Sequence, residues 1–202
     1  DGSAVLLSAG GEKLNDTKLV KAALSRGADE LYRVVDPALE DADAFQTASV
    51  LAAALRKIDF DLVVCGEGSA DRYSQQVGLL VGALLGLPVV NATGSVRAEG
   101  DALLVERVLE NEVEVLEIAP PAVVSMTSDA VLPRIPQLKD ILAAGKKPVT
   151  TWSLDEVGGI PESPVETVSV KAPASIARKG IVLEGATDEN IGELVSGIRA
   201  SR

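Results

Sequence analysis

The run GEGSADRYSQQVG, Gly66 to Gly78, holds the residues of this chain best suited to chemistry, and that chemistry is the holding of an anion. Small residues such as Gly66, Ala70 and Gly78 let backbone approach a ligand closely, and the hydroxyls of Ser69 and Ser74 supply extra donors. The run leads from an apolar stretch, Asp61 to Cys65, into the start of a helical pattern. The first N–H groups of a helix have no partner within it, and its dipole favours negative charge there, so a phosphate suits the position. The pattern is neither of the common phosphate loops, because no GK[ST] occurs and the third glycine is misplaced for GxGxxG. An ordinary capped strand-to-helix loop fits the same residues, and Arg72 fits either a phosphate contact or a solvated position.

Few other residues offer reactivity. The sequence contains no histidine, which removes the usual general base and the commonest zinc or copper ligand together, so no catalytic residue is assigned. Cys65 is the only cysteine, so no intramolecular disulfide and no thiolate metal cluster can form, and a reducing cytoplasm is the expected compartment. At the end of an apolar strand this thiol reads as a small hydrophobe. Lysine and arginine number 19 against 30 acids, and the net charge of -11 repels a nucleic-acid backbone. The most apolar stretch, Val77 to Val90, is shorter than the roughly 20 residues of a spanning helix and is broken by Gly82, Gly86 and Pro88, so no membrane insertion is expected. Gly78, Gly82 and Gly86 recur every four residues, which marks a helix packed closely on a sheet.

The elements around these residues alternate in type. Ser3 to Ala9 reads as a buried strand followed by Gly10-Gly11, Leu14 to Arg26 as a helix stopped near Gly27, and Glu30 to Val35 as a second strand. A helix from Asp43 to about Ile58 carries Phe45, Ala48, Ala52 and Leu55 as one stripe. The third strand, the glycine loop and a helix with Val77, Leu80, Val81 and Leu84 follow. This order predicts an α/β fold with a mostly parallel sheet and flanking helices, with ligands at the carboxyl ends of the strands. After Pro88 several β-rich runs predict an antiparallel hairpin or meander, in which Glu112, Glu114 and Glu117 face water and Val113, Val115 and Ile118 face the core. A short helix is expected over Gln137 to Ala144. Residues 1–150 form the expected nucleotide-binding domain, and residues 151–202, rich in proline and ending in a helix capped by Thr187, form a C-terminal arm.

Two long runs resemble electron-transfer flavoprotein beta subunits, in particular the FixA-type branch: DLVVCGEGSADRYSQQVGLLVGALLGLPVV and VERVLENEVEVLEIAPPAVVSMTSDAVLPRIPQLKDILAAGKKP. The likeness extends from LLSAGG into the arm. It implies an adenine-nucleotide-hydrolase-like, three-layer fold and a heterodimer with an alpha subunit that shares its FAD. It also implies AMP, or a second FAD, held by this subunit at Ala9, Gly66, Ser69, Ala70, Asp71, Ser74, Gln75, Gln76, Val77 and Gly78. The implied role is electron transfer between flavoprotein dehydrogenases and an acceptor such as a quinone oxidoreductase, with no bond chemistry of its own. LPRIPQLKDIL matches the family's docking loop, with Leu138 as apolar anchor beside Ile135 and Ile141, although spacing of three also fits core packing. Val105, Arg107, Glu110 and Glu114 fit either a pattern of bifurcating members or a charged hairpin. Family members start with a further strand and helix, so a segment upstream of Asp1 is expected. A stand-alone adenine-nucleotide-binding stress-type sensor uses the same sheet and loop and is the rival reading.

Overall fold

The computed structural model describes residues 2–175 and 180–201, which divide into two compact units at Val165 and Glu166. In the first unit β1 (Val5–Gly10), α1 (Thr17–Leu24), β2 (Glu30–Val35), α2 (Ala44–Leu55), β3 (Leu62–Gly66) and α3 (Val77–Leu85) alternate as their apolar periods require. The predicted helix over 14–26 is split. Asp16 takes an extended conformation and accepts from the Lys18 amide, so it caps α1 and leaves a single 3-10 turn, Glu12–Asn15, ahead of it. Asp43 and Gln46 form a reciprocal capping box that fixes the start of α2, and Gly86, at φ 69°, ends α3 in the left-handed conformation.

Four strands follow: β4 (Val89–Glu99), β5 (Ala102–Val108), β6 (Val113–Ile118) and β7 (Ala122–Met126). The short helix α4 (Leu138–Ala144) and β8 (Val149–Trp152) complete the sheets. The strands form two sheets, a parallel one in the order β1-β2-β8 and a mixed one in the order β3-β7-β4-β5-β6. β7 runs parallel between β3 and β4, and β4 to β6 form the predicted antiparallel meander. A bulge around Ala92, φ 50°, lets β4 pass from pairing with β7 to pairing with β5.

Helices cover both faces of the first sheet. Leu24 and Ala144 from α1 and α4 pack with Leu31 on one face, and Val50 and Ala54 of α2 pack with Val34 on the other. α3 covers the second sheet through Val81 against Val123. The boundary expected at residue 150 falls inside β8, which pairs with β2, while Leu154 and Val157 beyond it are core residues. The first unit therefore continues to Val165. The second unit contains α5 (Asp188–Ala200), capped by the Thr187 hydroxyl, which accepts from the Asn190 amide at 3.2 Å.

One phase of the meander is reversed from the expectation. Val113 and Val115 are exposed, while Leu116 and Ile118 join the core cluster of Val105 and Val124. A strand has a period of two, so Val113 and Val115 cannot share a face with Ile118, and the bulkier pair takes the inside. Glu114 consequently sits on the inner face, opposite Arg107, whose Nη1 lies 3.3 Å from its carboxylate.

Candidate functional site

β3 delivers the chain to the carboxyl edge at Gly66, and the next residue anchors the loop. The Glu67 amide donates to the Met126 carbonyl at 2.9 Å, and the Glu67 carboxylate accepts from the Ser128 amide at 3.3 Å, tying the loop to the exit of β7. The Tyr73 amide donates back to the Ser69 carbonyl at 3.0 Å, closing one turn. The Ser69 hydroxyl, with the amides of Arg72 and Asp71 itself, holds the Asp71 carboxyl below its ordinary range. A hydrogen bond to Glu67 raises the Tyr73 phenol.

Tyr73 and Gln75 have φ of 44° and 55°, a region uncommon for side chains larger than glycine. Such strain gathers where a backbone is held for a ligand. The turn then delivers α3 with Gln76 at its N-cap and no side-chain cap, and the helical ladder begins only with the Leu80 amide on the Gln76 carbonyl. The N–H groups of the first turn are thus left for an outside acceptor.

The residues singled out in the sequence take distinct places. Ala9 and Gly66 occupy the carboxyl ends of β1 and β3, Ala9 half-buried and Gly66 beside open space. Ser69, Ala70, Asp71, Ser74, Gln75 and Gln76 are exposed along the loop, and Val77 and Gly78 open α3. Gly78 is small for a different reason than ligand approach. A Cβ there would collide with the Ser125 hydroxyl and come within 3.1 Å of the Cys65 Cβ, so the glycine seats α3 on the sheet. Gly82 does the same against Val89. Burial raises the thiol of Cys65 under this helix, which makes it an inert packing group.

Gln76 also lines a shallow, mostly apolar pocket of about 500 Å³ with Asp43, Phe45, Leu80, Pro164 and Val165. Sequence reading missed this neighbourhood. Its available signal was the D-x-x-Q capping box at Asp43, which places a second helix start near the loop. Burial pulls the Asp43 carboxyl upward, but the Ser163 hydroxyl and the amides of Gln46 and Phe45 outweigh it and hold the group below its ordinary range.

Residues 1–157 match the sequence model of the electron transfer flavoprotein domain. The chain belongs to that family. In this electron transfer flavoprotein chain the loop from Gly66 to Gln76 lies at the strand edge where an α/β sheet receives its ligands. Leu138, in the first turn of α4, is 72% exposed, and Ile135 and Ile141 are exposed as well, so the core-packing alternative fails for all three. The buried residue of α4 is Ala144, which seats the helix beside Leu24. Among the described residues no helix is long and apolar enough to cross a membrane.

Proposed function

We propose that this chain is the beta-type subunit of an electron transfer flavoprotein heterodimer and binds an adenine nucleotide, AMP or a second FAD, at the Gly66–Gly78 loop. Membership in the family supplies the electron-transfer role. The observation that carries the site is the uncapped start of α3 behind an exposed, strained loop at the end of β3. These residues fit a phosphate: the first-turn N–H groups donate, Ser69 and Ser74 add hydroxyls, and Glu67 is turned aside by its bonds to Tyr73 and Ser128. Ala9 and Gly66, small residues at the carboxyl ends of β1 and β3, leave room for the flat base and its sugar.

A flavin shared with the alpha subunit supplies the electron-carrying ring. This chain's residues hold the nucleotide and offer a docking surface. Leu138, with Ile135 and Ile141, presents an exposed apolar edge beside Pro133 and Pro136 to flavoprotein dehydrogenases, and a quinone oxidoreductase is the proposed acceptor. The arm from Glu166 onward packs on the alpha subunit through the exposed stripe Ile191, Leu194, Val195 and Ile198 of α5. The expected compartment is the reducing cytoplasm. Expression of this chain alone and together with its partner tests the proposal. The complex should form and be yellow; failure to form a complex, or a colourless complex, rejects it.

A further inference from the structure

We infer, on the nucleotide reading of this loop, that Tyr73 is a positioning residue for the nucleotide phosphate, its ring laid back over Gly68 so that the strained turn ahead of α3 stays set. Tyr73 and Gln75 hold φ of 44° and 55°, angles that a chain free to relax leaves. The core does not hold them, because Tyr73 is 54% exposed and Gln75 is exposed as well. Contacts inside the loop must therefore keep the turn.

Those contacts converge on Tyr73. A Cβ on Gly68 would lie 3.0 Å from the ring Cδ2 and 3.4 Å from the Tyr73 Cα, so the ring lies there only because position 68 has no side chain. Gly68 is not among the glycines of positive φ, so it serves space and not backbone freedom. The Tyr73 hydroxyl meets the Glu67 carboxylate and the Gln75 side chain, which ties both strained residues to one point. Glu67 is itself fixed to the exit of β7, its amide 2.9 Å from the Met126 carbonyl and its carboxylate 3.3 Å from the Ser128 amide. A line of contacts thus runs from β7 through Glu67 to Tyr73 and Gln75, and Gln76 with the uncapped amides of α3 comes next. The helix does not depend on this line, since Gly78 seats it against Ser125 and Cys65. Loss of the latch should therefore shift Ser69, Ser74 and Gln75 and leave the fold in place.

Titration of the nucleotide-stripped, co-purified complex with AMP and with FAD, together with trypsin cleavage at the Arg72–Tyr73 bond read by mass spectrometry, tests the latch. For whichever nucleotide the unsubstituted complex binds, Tyr73→Phe and Glu67→Ala should each weaken binding about fivefold, and the double variant should be weaker than either by no more than about twofold, because both remove the same hydrogen bond. Glu67→Gln keeps an oxygen for the Ser128 amide and a donor for the Tyr73 hydroxyl, and should bind within about twofold of the unsubstituted complex. Gly68→Val displaces the ring and should weaken binding at least about tenfold; like Glu67→Ala, it should speed cleavage after Arg72 at least about fivefold while cooperative thermal unfolding is retained. Losses that multiply in the double variant, faster cleavage with unchanged affinity, or loss of cooperative unfolding in Glu67→Ala overturns the inference. Unchanged cleavage and affinity in all variants of a complex that binds its nucleotide removes the inference alone, whereas an unsubstituted complex that takes neither AMP nor FAD removes the nucleotide reading and the positioning role with it.

Discussion

Asp43 is the residue whose titration reads out most directly in stability. Its carboxylate caps α2 and accepts from Ser163, and its folded pKa lies below the ordinary 3.8. A depressed carboxyl contributes stability that is complete above the unfolded value and is lost as pH falls through the folded one. Asp43→Ala should cost about 1 kcal/mol near neutral pH in denaturant unfolding. Asp43→Asn should retain most of the cap but flatten the loss of stability below about pH 4. Gly82→Val places its Cβ 2.7 Å from that of Val89 and should cost about 1–3 kcal/mol through overpacking. Gln75→Pro should act differently, since proline cannot hold φ 55°. The loop is exposed, so calorimetry should find the fold intact and AMP bound at least about tenfold more weakly, a loss of about 1.4 kcal/mol. The loop itself was legible in the sequence because glycines and hydroxyls between a strand and a helix have few uses. The role of Gly78 was not, because sequence records a missing side chain without showing which neighbour needs the space.

Elements were legible wherever their local signals agreed. β2 runs over Glu30–Val35 as its apolar run predicts, and α4 follows Gln137 as expected. α1 was cut short by Asp16, whose side chain competes for the backbone amide of Lys18. The phase of β6 needed its partner strand, since Val115 and Leu116 have similar claims on the core until the register with β5 chooses between them. The exposed run from Leu132 to Leu142 carries the element-scale prediction. Leu138→Ala should leave thermal stability unchanged within about 0.5 kcal/mol, because the side chain is mostly exposed, while stopped-flow reduction by a flavoprotein dehydrogenase slows at least about fivefold. Loss of stability with unchanged docking rates would make Leu138 a packing residue.

At the scale of the whole molecule, alternation of strands and helices declared the fold class, but strand order did not follow from it. The insertion of β7 between β3 and β4, and the division into two sheets, depend on pairings between residues about 60 and 30 positions apart. The unit boundary at Val165 was equally hidden, because Leu154 and Val157 return to the core after a proline-rich composition has suggested an arm. A chain ending at Val165 should keep a cooperative unfolding transition and lose association with the alpha subunit in size-exclusion chromatography. Native mass spectrometry of the co-purified complex addresses the central claim most directly. The account predicts one copy of this chain with one alpha subunit, carrying one FAD and one further adenine nucleotide, either AMP or a second FAD. A flavin-bearing complex that releases FAD from the alpha subunit and no nucleotide from this chain, or a chain found only with copies of itself, would contradict it.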